Sequence, residues 1–276
     1  MNDLQEKAEM AGKSFFDRQN HVKNVTIAIG MIRKGCVILA ADSQTTEDKI
    51  KRKDSLKINV IEFANAKALV TYAGSVALGE MAIDILRRKA ADTIVDKPET
   101  IMVVAQETVR EVRLYQVALN KDIVTDWVKF FWENNPLELL VGYYYKDQPH
   151  LYVAEIYRAT ATAIKNHVTI GIGRELGDFL LAEYAGYSPE NDGDFGMALA
   201  VYVVEKVKDF VNGCGGKTRL GVATDEGKCG LGNEKRIADV VKMLVELDEP
   251  AKAERNKKIY EMLNSVVATW QNEKSK

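Results

Sequence analysis

Apolar positions cluster in two runs through the first well-patterned stretch of the chain, Val25 to Asp42, with polar residues between them. Two β-branched runs flank Lys34-Gly35, which predicts a hairpin ending on an acid. A third strand opens at Lys57-Ile-Asn-Val-Ile and a fourth at Ala68-Leu-Val-Thr-Tyr-Ala-Gly74, placing four strands over about 25–73. The period then changes. Leu78, Met81, Ala82, Ile85 and Leu86 recur at helical spacing, as do Ile101, Val104, Ala105, Val109 and Val112, predicting helices over 75–92 and 99–119. Strands return over 138–171, through Leu139-Leu-Val-Gly-Tyr-Tyr-Tyr, Pro149-His-Leu-Tyr-Val and the alternating Thr160-Ala-Thr-Ala-Ile. Helices follow over 174–186 and 194–211, and then a strand, Arg219–Thr224. Residues 2–17 read as a weakly amphipathic helix anchored by Phe15 and Phe16. The tail from Asn233 reads as two helices punctuated by Asp248-Glu-Pro250.

Two strand blocks, each followed by a helix pair, predict an α+β fold. Its two sheets would stack and be covered on both outer faces, giving a four-layer αββα sandwich with extra C-terminal helices. The expected divisions are an N-terminal extension or propeptide at 1–25, a core domain at 26–232 and a helical appendage at 233–276.

This order puts a hydroxyl (Thr26) at the start of one strand, a carboxylate (Asp42) at the end of the next and an amine (Lys57) at the opening of a third. The three can meet at one end of a sheet. A hydroxyl becomes a useful nucleophile only when a base and a tuned neighbour act on it, and this trio supplies such neighbours. As isolated residues they have plainer readings: a strand threonine and a structural ion pair.

In order and spacing, Thr26, Asp42 and Lys57 resemble the proteasome and the bacterial HslV-type peptidases, the threonine-nucleophile branch of the N-terminal-nucleophile (Ntn) hydrolases. The resemblance runs from Thr26 to about Thr224. It includes the Ala73-Gly74-Ser75 turn before a helix, Gly171-Ile-Gly173 where the family has Gly-Ser-Gly, and Cys214-Gly-Gly216 where it has Ser-Gly-Gly. It implies that Thr26 is the nucleophile after removal of 1–25, with Lys57 and Asp42 as its supports. A backbone N–H at Gly74 or Thr71 would receive the oxyanion. Five positions depart from the pattern. Val25 stands where a glycine precedes the nucleophile, Ile172 and Cys214 replace serines, and Val211 replaces an aspartate. Thr71 also replaces a glycine of the substrate cleft.

The resemblance implies self-association, in a ring for the relatives, with peptide or unfolded-protein substrates and an unfoldase as partner. An unprocessed, non-catalytic structural subunit of the α type is the alternative, and a small-amide hydrolase on the same fold is a third.

Composition narrows the setting. With 276 residues, 46% of them apolar, the chain can bury a large core. A formal net charge of −2 gives no sign of nucleic-acid binding. No run approaches the roughly 18 apolar residues that span a bilayer, and the polar N-terminus lacks the apolar core of a secretion signal. Three scattered cysteines fit a reducing cytoplasm rather than a disulfide framework. His21, His150 and His167 share no ligand spacing, so neither a metal nor another cofactor is expected. Gly171, Gly173 and Gly177 miss the spacing of a dinucleotide loop and predict a tight strand-to-helix turn. Gly12-Lys-Ser14 lacks both the leading glycine and the strand of a phosphate loop. The aromatic run Trp127–Trp132 reads as an insertion that packs in the core or at an interface.

Overall fold

The computed structural model describes residues 26–47, 50–52, 54–120, 125–126, 130, 137–185, 193–243 and 246. The helix expected over 2–17, most of the Trp127–Trp132 run and the tail beyond 246 lie outside them. Of the aromatic run, Phe130 is described, and it is buried.

The first hairpin is β1 (Ile27–Arg33) and β2 (Cys36–Asp42), turning at Lys34-Gly35 as the two β-branched runs predict. A short ribbon follows, β3 (Thr45–Glu47) against β4 (Ile50–Arg52). Then come β5 (Ile58–Glu62) and β6 (Lys67–Gly74), and the helices α1 (Val76–Ala91) and α2 (Glu99–Asn120). Ser75 caps α1 by accepting the Leu78 N–H on its side chain. The second half contains β7 (Leu137–Tyr145), β8 (Gln148–Glu155), β9 (Thr160–Ile164), β10 (His167–Gly171), α3 (Arg174–Ala185), α4 (Gly193–Phe210), β11 (Thr218–Thr224) and β12 (Cys229–Leu231). A further helical run covers 234–243, capped by Asn233, whose Oδ1 accepts the N–H groups of Lys235 and Arg236.

The strands pair antiparallel into two five-stranded sheets, β10-β1-β2-β11-β12 and β5-β6-β7-β8-β9. Every residue of β2 is buried, because alternate side chains enter different cores. Val37, Leu39 and Ala41 point between the sheets with Ile58, Leu69, Leu140 and Leu151. Cys36, Ile38 and Ala40 point outward beneath α3 and α4, with Val203, Val204 and Val207. The opposite outer face, under α1 and α2, packs Val70, Tyr72 and Tyr143 against Leu86, Val104 and Val109. The result is the expected αββα sandwich, and Ile237 joins the C-terminal helical run to the α3/α4 layer.

The ribbon β3–β4 and the edge strand β12 are not among the expected elements. Each strand has three residues, too few for an alternation to register.

Candidate active site

Strand direction brings the start of β1, the end of β2, the start of β5 and the end of β6 to one end of the sandwich. Thr26 immediately precedes β1, Asp42 closes β2 and Lys57 immediately precedes β5. The hairpin register sets Ala28 opposite Ala41, which carries the Thr26–Ile27 backbone to Asp42. The amine joins the other two groups. Lys57 Nζ donates to Thr26 Oγ1 at 2.6 Å and to Asp42 Oδ1 at 2.8 Å. Asp42 and Lys57 are fully buried, and Thr26 is 5% exposed.

Backbone donors complete the solvation of the acid. Asp42 Oδ1 accepts the Ile27 N–H at 3.3 Å and Oδ2 accepts the Gly215 N–H at 2.9 Å. Gly215 arrives because β11 pairs with β2, Thr218 opposite Asp42. The connection is doubled around it. Gln44 N–H donates to Gly215 O at 2.9 Å, its Nε2 donates to Gly213 O, and Lys217 N–H donates to Ser43 Oγ at 2.7 Å. Ser55 N–H donates to Ser43 O at 3.0 Å, tying the lead-in to Lys57 onto the same segment.

Burial is the largest influence on both ionisable groups. It pushes the Asp42 carboxyl up and the Lys57 ammonium down, while each partner's charge works against that drift. Lys57 therefore sits below the ordinary lysine range, which suits an amine that tunes a hydroxyl.

The remaining sequence-derived positions are more dispersed. Thr71 lies mid-strand in β6 between Ile58 and Leu140, fully buried, and its Oγ1 has no hydrogen-bond partner among the described residues. Its side chain therefore does not line an open cleft. Gly74 ends β6 opposite Leu137, with φ +123. Ile172 is exposed in the β10–α3 turn, Val211 is half-buried after α4, and Cys214 is buried with its thiol pushed up to about 12, chiefly by burial.

Sequence reasoning missed Glu138 and Arg174, and it read Gly215 only within the Cys214-Gly-Gly216 run, without its bond to Asp42. Gly171 was read only as part of a tight turn, yet its N–H donates to Glu138 Oε2 at 3.1 Å. Its backbone also packs on Thr26 so closely that a Cβ there would stand 2.2 Å from the Thr26 carbonyl oxygen. No local pattern signals Glu138, because its partners are 33 and 36 residues away.

Two cavities lie elsewhere. One of about 420 Å³ is lined by Phe63, Lys67, Tyr144, Lys146, Thr224 and Lys228, at the end of the sandwich opposite Thr26. One of about 380 Å³ sits between α4 and the C-terminal helical run. The chemistry of the trio and its geometry outweigh cavity size as a guide to the site. Among the described residues no cluster of three or more His, Cys, Asp and Glu side chains is disposed to hold a metal, and no helix is long and apolar enough to cross a membrane.

Comparisons with known proteins give the family. No curated protein matches the chain. Among solved structures, Anbu (ancestral beta-subunit) from Yersinia bercovieri is similar with a TM-score of 0.63 and 16% identity, over 82% of this chain and 96% of that one. The Anbu (Gly-1) mutant from Hyphomicrobium sp. strain MC1 is similar with a TM-score of 0.61 and 13% identity, over 83% and 96%. At these identities the likeness speaks for the fold. The family model described as proteasome subunit matches residues 22–223, most of the chain and every strand and helix of the αββα core up to the penultimate residue of β11, and the chain therefore belongs to the proteasome subunit family.

Proposed function

We propose that this proteasome-like subunit hydrolyses peptide bonds through Thr26 once residues 1–25 are removed. The observation that carries this reading is the buried relay in which Lys57 Nζ touches both Thr26 Oγ1 and Asp42 Oδ1. Release of the Thr26 α-amine would supply a base with an ordinary pKa of about 7.7–8.0. That amine takes the Oγ proton as Oγ attacks the peptide carbonyl. The carbonyl oxygen becomes an oxyanion, received by the backbone N–H at Gly74. Collapse breaks the C–N bond, the leaving amine takes the proton, and an ester to Thr26 remains until water hydrolyses it. Lys57 lowers the energy of the ionising hydroxyl, and Asp42 keeps Lys57 oriented. Family membership supports self-association, and a ring with an unfoldase partner in the cytoplasm would suit this activity.

A second reading is a non-catalytic structural subunit that keeps 1–25. It draws on Val25 before the nucleophile and on the apolar or thiol side chains at Ile172, Val211 and Cys214. While Val25 is attached, the α-nitrogen is an amide and cannot act as the base.

Intact mass of untagged protein, paired with peptide hydrolysis by the parent and by Thr26→Ala, separates the two readings. The catalytic reading expects loss of 1–25 and hydrolysis that disappears in Thr26→Ala. A mass of 30.8 kDa with no turnover would establish the structural subunit instead.

A further inference from the structure

Glu138 stands opposite Ala73 in the β6–β7 pair, at the same end of the sandwich as Thr26. Its neighbours Leu137 and Leu139 enter the core under α1 and α2, whereas Leu140 points between the sheets. By alternation, the Glu138 side chain turns toward the other sheet. There it makes a polar bridge. Oε2 accepts the Gly171 N–H at 3.1 Å, and Oε1 takes the Arg174 guanidinium. Arg174 Nε in turn donates to Thr169 O at 3.1 Å, and Asp178 Oδ1 accepts the Thr169 N–H at 3.1 Å and its hydroxyl at 2.6 Å. The β10–α3 turn is thus held from both sides.

Gly171 is what this bridge restrains. It pairs with Ile27 in β10–β1, has φ +91, and packs between the Thr26 carbonyl and Ala73, with an added Cβ reaching 2.2 Å and 3.2 Å from them. A side chain cannot be accommodated there, so backbone hydrogen bonds must fix the wall behind Thr26. Glu138 carries a cost. Glu155 lies directly across the strand pair, and like charges in that relation repel. Each acid has its own relief: Arg174 for Glu138, and Tyr157 Oη at 2.9 Å with Arg158 at 3.2 Å for Glu155.

We infer that Glu138 is a positioning residue: it fixes the Gly171 N–H across the two sheets and so holds the Thr26 backbone in register with Lys57. The inference rests on the reading of Thr26 as nucleophile, but its structural half is testable without activity.

The test compares the parent, Glu138→Ala, Glu138→Gln and Arg174→Ala as full-length expressed proteins. Two quantities are read: kcat and KM on a peptide substrate, and amide hydrogen exchange over 168–173. Glu138→Ala is expected to lower kcat about tenfold to hundredfold with KM near the parent value, and to speed exchange at Gly171 while β5 stays protected. Glu138→Gln keeps an acceptor for that N–H and is expected to stay within about threefold of the parent kcat, in line with the modest net worth of one hydrogen bond. Arg174→Ala, which leaves the Glu138–Gly171 bond in place, should fall between them. An inactive parent would overturn the catalytic reading, and the exchange data would still decide the bridge. If Glu138→Ala does not fold, the ranking of Glu138→Gln above Arg174→Ala in Gly171 protection decides it. Parent-like exchange at Gly171 in Glu138→Ala, or a loss confined to KM, overturns the inference.

Discussion

Gly215 donates its backbone N–H to Asp42 Oδ2 at 2.9 Å, joining two residues 173 positions apart. The acid of the trio is thereby oriented by main chain, with the Ile27 N–H on its other oxygen, and among the described residues Lys57 supplies its side-chain hydrogen bond. Such a carboxylate keeps its direction even though burial raises its pKa.

The first prediction concerns that amide. A Cβ at position 215 would stand 2.6 Å from Gln44 Oε1 and 3.2 Å from its Cδ. Gln44 is 5% exposed and bonded to Gly213 O, so it has little room to retreat. Gly215→Ala is expected to cost about 1–3 kcal/mol, as overpacking does, and to depress hydrolysis by displacing Asp42. Urea unfolding measures the first and turnover the second. Parent-like values in both would mean that Gln44 yields freely and the amide does not orient the acid.

A second prediction follows from pairing inside a dry site. Lys57→Met leaves the Asp42 carboxylate buried with two backbone donors and no cation, an imbalance worth about 3–5 kcal/mol. Asp42→Asn on the same background removes the stranded charge and should recover a large part of that loss. Thr26→Ala, which leaves the ion pair intact, should cost only about 1 kcal/mol. Denaturant midpoints of Lys57→Met, of Asp42→Asn alone and of the double variant, against the parent, give the coupling directly. Additive losses would show that the pair is not energetically linked in the folded chain.

These contacts mark the limit of what was legible in the sequence. The β1–β2 hairpin, the start of β5 at Lys57, the helix pairs and the four layers all follow from periods of 2 and 3.6 in runs of seven or more residues, or from clear turn signals. Thr26, Asp42 and Lys57 could be brought together because each sits at a strand end, where topology alone fixes position. Glu138 could not be found that way: it is one polar residue at the start of an apolar strand, and its meaning comes from Gly171 and Arg174 in the other sheet. The burial of Thr71 was equally hidden, since it depends on which face of β6 meets the second sheet. The β3–β4 ribbon is too short to carry a pattern.

Thiol chemistry supplies a third prediction. None of the three cysteines forms a disulfide. Burial pushes Cys214 up to about 12 and Cys229 up to about 11, and Cys36 is buried. The thiolate is the reactive form, so all three should resist iodoacetamide at pH 8 in the folded protein. Mass spectrometry should record three adducts after unfolding and at most slow labelling before it. Rapid native labelling at Cys214 would contradict its enclosure beside Asp42 and Lys57.

The last prediction is a pH dependence set by histidines. His150 stacks against Tyr143 at 5.1 Å and Tyr152 at 6.4 Å, and its Nε2 is buried with no partner among the described residues. Burial lowers its pKa, opposed by the charge of Glu99. Burial also lowers His167, against Asp178 and with help from Arg33. An unfolded histidine titrates near 6.5. Below that pH the unfolded chain binds protons that the native imidazoles refuse, so stability falls as pH drops from about 6.5 and the loss is complete once the folded groups are themselves protonated. Thermal midpoints between pH 7.5 and 5.0 should therefore decline on the acid side. His150→Gln removes one of these titrations and should flatten the decline relative to the parent. An unchanged slope in that variant would assign the acid sensitivity to other groups and leave the stacked imidazole without a part in it.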